Sequence, residues 1–404
     1  MSLTLTPAGA EAAPAAPLAA DFYGFQAQLS PTEQQHLARI REFLDTEVAP
    51  FADDFWDRAE SPKHLWPRFA ELGLFGHAFA ETAQFENSNV YRGWVAMEIS
   101  RADPSTATFL GVHSGLAMTS IDVGGSPEQK AEWMPRLARG ELVAAFGLTE
   151  PGHGSDTAKG LETTAERRGD EWVLNGAKRW IGNGAFADLV VIWARDVADD
   201  QVKGFLVRTP ATGFTGTKIK RKQSLRAVEN ADIVLEHVVV PESDRLPAIR
   251  SFRDVAIVLR LTRGDVAWQA LGVAVGAYEA TVRYATSRLQ FGKPIAGFQL
   301  VQQKLAIALS NITASFAMCM RVSQLQDEGV QGDHHSAMAK AFVTVRMRET
   351  VALCREVMGG NGIQLDHGVA RYFADAEAIY TVEGTYDMNN LIVGRAITGI
   401  AAFV

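Results

Sequence analysis

Phe146-Gly147-Leu148-Thr149-Glu150-Pro151-Gly152-His153-Gly154-Ser155-Asp156 marks a change of period in this 404-residue chain. Before it, apolar residues recur at helical spacing. After it come short β-rich runs separated by turn residues. Gly152 and Gly154 let the backbone approach a ligand closely, and Thr149 and Ser155 offer hydroxyls. Gly152-x-Gly154 is not completed by a third glycine, since Thr157 stands there, so the dinucleotide fingerprint fails. Read alone, the stretch is equally a plain turn.

Upstream, Ser30-Pro31-Thr32-Glu33 is a capping box with proline at the first helical position, followed by Leu37, Ile40, Leu44 and Val48. Ser126-Pro127-Glu128-Gln129 repeats that start chemistry and predicts a helix ending near Gly140. Downstream, Thr163-Thr164-Ala165 and Trp172-Val173-Leu174 flank a turn and predict a hairpin. Further strands are expected at 189–193, 205–207 and 233–235. From about Phe252 the helical period returns, with Val301, Leu305, Ala308, Ile312, Phe316 and Cys319 on one face. The expected organisation is a disordered tail (1–29), an N-terminal helical domain (30–145), a middle β-domain (146–250) and a C-terminal helical bundle (251–404). That is an α+β chain without a doubly wound parallel sheet.

Composition narrows the function classes. With 47% hydrophobic and 21% charged residues, the chain has an ordinary globular balance. Its net charge of −8 and lack of a basic block argue against nucleic acid. No uninterrupted apolar run is long enough to span a bilayer, so no membrane insertion is expected. Cys319 and Cys354 lack the spacing of a disulfide framework or a zinc site, and the adjacent His334 and His335 read as a solvated helix start. The first 21 residues are Ala/Pro-rich and contain no Lys or Arg, unlike a secretory or mitochondrial leader. The expected location is cytoplasmic.

Four more stretches carry candidate chemistry. Trp180-Ile181-Gly182-Asn183-Gly184 offers an indole to a planar cofactor, or is a core tryptophan beside a turn. Arg288-Leu289-Gln290-Phe291-Gly292 offers a phosphate grip, or a helix-end arginine. Met358-Gly359-Gly360-Asn361-Gly362 allows close backbone approach, or simply stops a helix. In Tyr380-Thr381-Val382-Glu383-Gly384-Thr385-Tyr386-Asp387, Glu383 sits in a short junction between apolar helices. A carboxylate desolvated there is a stronger base than an exposed one; the alternative is a surface glutamate.

Taken together and in this order, these motifs resemble the acyl-CoA dehydrogenase superfamily from about residue 30 onward. They are most similar to the branch of glutaryl-CoA dehydrogenases and plant short-chain acyl-CoA oxidases. Thr149-Glu150-Pro151, Arg179-Trp180-Ile181-Gly182-Asn183, Arg288-Leu289-Gln290-Phe291-Gly292, and Glu383-Gly384-Thr385-Tyr386-Asp387 with Gly394-Arg395-Ala396-Ile397-Thr398-Gly399 carry that closer likeness. The resemblance implies a middle domain like a β-barrel, a C-terminal four-helix bundle, and a homotetramer built as a dimer of dimers. It implies FAD as cofactor, an acyl-CoA substrate, a role in fatty acid metabolism, and an electron-transfer flavoprotein as partner.

It also implies residue roles. Phe146, Leu148, Thr149, Gly154 and Ser155 would line the flavin, with Trp180, Ile181 and Gly182 beside its ring. Arg288, Gln290, Phe291, Glu356 and Gly360 would reach the FAD of a neighbouring subunit, and Thr385 and Asp387 would make the last FAD contacts. Ser155, Arg263, Glu383 and Gly384 would hold the substrate, with Arg263 near the CoA moiety. Glu383 would remove the α-proton while the β-hydrogen passes as hydride to flavin N5. Two positions depart from the branch. Gly182 stands where many members place a threonine whose hydroxyl bonds N5, so extra room and faster reaction with oxygen are expected. Ala107 stands where glutaryl-CoA enzymes place an arginine for the distal carboxylate, which disfavours a dicarboxylyl substrate. The leading expectation is a short-chain acyl-CoA dehydrogenase. Its alternatives are an oxidase using O2, a glutaryl-CoA dehydrogenase, and a non-catalytic CoA-thioester binding protein.

Overall fold

The structure, a computed structural model, describes residues 18–402. Seven helices come first: α1 (Pro31–Phe43), α2 (Ala52–Arg58), α3 (Trp66–Glu71), α4 (Asn89–Ala102), α5 (Pro104–Leu110), α6 (Thr119–Gly124) and α7 (Pro127–Ala138). Both expected capping boxes form, at Ser30/Glu33 and Ser126/Gln129. Between α5 and α6 the helix widens into a π-helical stretch, Gly111–Met118.

Strands follow: β1 (Ala144–Gly147), β2 (Thr164–Arg168), β3 (Glu171–Ile181), β4 (Leu189–Asp196), β5 (Val202–Arg208), β6 (Phe214–Lys218) and β7 (Ala231–Pro241). They form one sheet in the order β1-β4-β2-β3-β7-β6, with β5 paired to β4. The expected hairpin is β2–β3, and β1 runs parallel to β4. One apolar cluster lies between the sheet and the π-helical stretch, α6, α7 and the start of the next helix. Another fills the other side of the sheet.

The C-terminal part holds α8 (Phe252–Ser287), α9 (Gln299–Asp327), α10 (Asp333–Val357), α11 (Val369–Thr381) and α12 (Tyr386–Thr398). A short ribbon of β8 (Leu289–Gln290) and β9 (Lys293–Pro294) joins α8 to α9. The helical core joins α1 and α4 to α8, α9, α10 and α11, and α4 lies along α8.

One sequence expectation needs correction. Residues 18–29 were assigned to a disordered tail, but Leu18, Ala20 and Leu29 are buried in the helical core. The Asp21 carboxylate accepts the Phe25 and Gln26 amides at 2.8 and 2.9 Å, and Phe25 stacks on Phe316 of α9. The Ala/Pro bias of the preceding residues hid this aromatic, self-capped anchor; residues 1–17 lie outside the described part. One helix, α9, has a mean hydropathy of 1.5 over an 18-residue window and is apolar enough by composition to cross a membrane, as a core helix also is. Ser310, Asn311, Thr313, Ser315 and Arg321 interrupt the apolar run within that stretch. Its apolar face, including Ile312, Phe316 and Cys319, packs into the helical core.

Candidate active site

Glu383 lies in the turn between α11 and α12, and its backbone adopts the left-handed region at φ 52°. A non-glycine residue rarely stays there unless its surroundings hold it. Three side chains hold this turn. Lys340 of α10 donates to the Tyr380 and Gly384 carbonyls at 2.8 and 2.7 Å. Asn389 donates to the Gly384 and Thr385 carbonyls at 2.8 and 3.0 Å. The Thr385 hydroxyl caps α12 by accepting the Met388 amide.

The Glu383 carboxylate points at α8, where the Thr262 hydroxyl donates to it at 3.0 Å. Arg263 Nε lies 3.5 Å from the Glu383 carbonyl oxygen. Burial pushes the Glu383 carboxyl above its ordinary range. The Thr262 hydrogen bond and the Arg263 and Lys340 charges only partly oppose that shift. Burial also pushes Lys340 down to about 8, against the pull of the Glu383 charge.

Thr262 opens onto a cavity of about 250 Å³ between α4, α5, the π-helical stretch and α8. Apolar walls come from Leu74, Phe79, Val95, Ile99 and Leu110, and Ala107 lies on the same wall. Thr262, Asp265 and Gln269 occupy one helical stripe of α8 facing this space, and Arg92 of α4 joins them.

The glycine-rich loop is pinned to β3. The Glu150 carboxylate accepts Lys178 Nζ at 2.7 Å and the Glu162 and Thr163 amides at 2.6 and 3.0 Å. The Arg179 amide donates to the Thr149 carbonyl at 2.8 Å. This ties Phe146, Leu148, Thr149, Gly154 and Ser155 to Trp180, Ile181 and Gly182. Phe146, Leu148 and Ile181 are buried, whereas Gly154 and Ser155 are exposed. Trp180 is 52% exposed at φ 64°, with Arg179 over its ring and the Asn230 amide on its carbonyl. Asn183, also at positive φ, donates to the Phe109 and Ala144 carbonyls and so fastens this turn to the helical part.

A Cβ placed on Gly182 would lie 2.7 Å from Val112 Cγ2. The space expected beside Gly182 is therefore filled by a side chain from the π-helical stretch. Val112 also links the two halves of the site, because its neighbour Gly111 lines the cavity.

The residues expected to serve a neighbour's cofactor stand elsewhere. Arg288 and Gln290 are exposed at the far end of α8, and Phe291 is 94% exposed. At about 1.5 Å per residue, Arg288 is about 39 Å along α8 from Thr262. Glu356, paired with Lys304 at 3.2 Å, and Gly360 lie at the end of α10 on that same pole, where Asn361 bonds Tyr284. Thr385 and Asp387 stay with Glu383 at the start of α12.

The loop and turn suit a flavin. Gly152 and Gly154 have nothing within 4 Å of a built Cβ, leaving an open backbone face for a chain of hydroxyls and phosphates. Trp180 offers a half-exposed indole of the kind that packs on a planar ring.

The comparisons with known proteins agree with this geometry. Residues 30–141, 145–238 and 252–398 match the N-terminal, middle and C-terminal domains of acyl-CoA dehydrogenase. An acyl-CoA dehydrogenase of Bacillus subtilis (strain 168) is 32% identical over 375 residues, 91% of this chain and 99% of that one. The mitochondrial short-chain specific acyl-CoA dehydrogenase of Mus musculus is 32% identical over 377 residues, 91% of this chain and 90% of its own length. A glutaryl-CoA dehydrogenase from Mycobacterium smegmatis in complex with FADH2 superposes with a TM-score of 0.92 at 35% identity, covering 96% of this chain and all of that one. The chain belongs to the acyl-CoA dehydrogenase family, FAD-dependent oxidoreductases acting on the CH–CH bond of acyl-CoA thioesters.

Sequence reading missed Thr262, Lys340, Asn389, Val112, Arg92 and Asp265. The signal for Thr262 and Asp265 was present only as two polar residues three apart, and so on one face, of α8. Nothing in the sequence pairs Val112 with Gly182 or Lys340 with the turn, because those contacts are long-range.

Proposed function

We propose that this enzyme oxidises a short-chain acyl-CoA to the trans-2-enoyl-CoA, with Glu383 as the base that removes the α-proton. The observation that carries the reading is the Glu383 carboxylate, desolvated and held by Thr262, which itself lines a cavity of about 250 Å³. Its raised proton affinity suits it to take a proton from a weakly acidic carbon. The Glu383 N–H donates to no group among the described residues, so it is free to bond a thioester oxygen as enolate charge develops. Arg263, beside the same turn, carries the charge assigned to the CoA moiety. FAD, when bound, supplies the two-electron acceptor for the β-hydrogen. Phe146, Leu148, Thr149, Gly154, Ser155, Trp180, Ile181 and Gly182 would hold it within the subunit, together with Thr385 and Asp387. Arg288, Gln290, Phe291, Glu356 and Gly360 would complete it from a neighbouring copy in a homotetramer.

Electrons would then pass to a carrier flavoprotein. Val112 closing the gap at Gly182 supports this reading over an oxidase. Glutaryl-CoA is disfavoured: Ala107 replaces the expected arginine, and a second carboxylate in the cavity would lie beside Asp265. The two buried free thiols, Cys319 and Cys354, fit a cytoplasmic setting.

The test is anaerobic bleaching of the bound flavin by a panel of acyl-CoAs. Butyryl-CoA should bleach it with a kcat/KM well above that of glutaryl-CoA. Failure of every acyl-CoA to bleach would sink the reading, and equal use of glutaryl-CoA with CO2 release would overturn its substrate class.

A further inference from the structure

The cavity beyond Glu383 has a polar end that oxidation of a plain alkyl chain does not require. Asp265 and Gln269 follow Thr262 on the same stripe of α8, about 4.5 and 10.5 Å further along the axis. No group among the described residues hydrogen-bonds the Asp265 carboxylate or the Gln269 side-chain amide, although both line the cavity. Arg92 enters from α4. Its Nε donates to Asn87 Oδ1 at 2.8 Å and its Nη1 to Asn89 Oδ1 at 3.2 Å. Those two bonds fix the guanidinium and leave its other donors without a partner among the described residues. Burial penalises the Arg92 charge, which Asp265 and Asp327 favour; Asp327 itself accepts the Asn89 amides.

These three side chains are half-buried and face the cavity, and a ligand that offers them hydrogen bonds is favoured over one that displaces their water and returns none. The ligand's chemistry follows from the set. A distal carboxylate would meet Arg92 but also Asp265. A distal ammonium would meet Asp265 but be repelled by Arg92. A methyl group would satisfy none of them. A hydroxyl donates to the carboxylate and accepts from the guanidinium or the amide, and it carries no charge into the cavity.

We infer that the preferred acyl group bears a hydroxyl several bonds beyond the α-carbon, bound by Asp265, Gln269 and Arg92. This deepens the proposed acyl-CoA oxidation and rests on it. Asp265, Gln269 and Arg92 set specificity, while Glu383 does the chemistry.

The experiment uses the purified FAD-loaded enzyme and four thioesters of one length: hexanoyl-, 6-hydroxyhexanoyl-, 6-aminohexanoyl- and adipoyl-CoA. Flavin reduction is followed anaerobically. The hydroxy compound should exceed hexanoyl-CoA in kcat/KM by about tenfold or more, as expected for satisfying half-buried polar groups. The amino and carboxy compounds should fall below both. Asp265→Leu should reverse the preference for the hydroxyl, and Gln269→Leu should weaken it, with flavin content read at 450 nm to show that each variant is loaded. Preference for hexanoyl-CoA in the wild type, or for either charged compound, overturns the inference. So does an unchanged hydroxy/hexanoyl ratio in both loaded variants. Flavin that no acyl-CoA reduces speaks instead against the oxidation itself.

Discussion

At the scale of single residues, Gly182 shows how a local reading can mislead. A missing side chain suggests empty space, yet Val112 from a different part of the chain occupies it. Gly182→Thr would drive a new Cβ into Val112 Cγ2, and overpacking of this kind costs about 1–3 kcal/mol. We predict a lower melting temperature and weaker FAD retention for Gly182→Thr, with recovery of both in the double variant Val112→Ala/Gly182→Thr. Differential scanning fluorimetry with and without added FAD reads this directly. A single variant as stable as the wild type would show that Val112 yields without cost. Glu383 was the opposite case. Its place in an apolar junction was visible in the sequence, but its left-handed backbone and the Thr262 hydroxyl that orients it were not. The hydroxyl stands on α8, more than 100 residues earlier, and the turn is held from α10 and α12.

At the scale of elements, α10 supports the turn that carries Glu383. Lys340 is buried among apolar neighbours, and its ammonium satisfies two carbonyls of the turn. Lys340→Met keeps the volume but removes the donor to the Tyr380 carbonyl and leaves the Gly384 carbonyl to Asn389 alone, and an unsatisfied buried carbonyl costs about 1–3 kcal/mol. The expected outcome is a fall in kcat larger than any rise in KM, with flavin content preserved. Unchanged kcat would mean that Asn389 and the Thr385 cap hold the turn alone. The elements themselves were largely legible. Both capping boxes, the β2–β3 hairpin and the buried face of α9 followed from residue spacing. What spacing could not give was which elements meet. The parallel pairing of β1 with β4 and the packing of α4 along α8 leave no mark within either segment. The anchor at residues 18–29 was lost because composition averaged over the preceding residues concealed Asp21 and Phe25.

At the scale of the whole molecule, the site is split. Glu383, the glycine-rich loop and Trp180 belong to one region, joined through Thr262, the cavity and Val112. Arg288, Phe291 and Gly360 stand at the opposite pole of the bundle, about 39 Å away along α8. One subunit cannot bring both sets to the same flavin, and their exposure leaves them available to a second copy. The enzyme is therefore expected to be a homo-oligomer, and Arg288→Ala should release FAD without disturbing the subunit fold. Light scattering that found a stable FAD-loaded monomer would refute this arrangement.

The central claim is that the Glu383 carboxylate takes the α-proton. The most direct measurement is stopped-flow reduction of the flavin by butyryl-CoA under anaerobic conditions in Glu383→Gln. The amide keeps the shape of the side chain and the Thr262 contact but cannot accept the proton. Loss of a positioned base costs about 10²–10⁴-fold in rate. The account predicts a fall at least that large, with FAD content unchanged at 450 nm. A variant that reduces its flavin at close to the wild-type rate would contradict it.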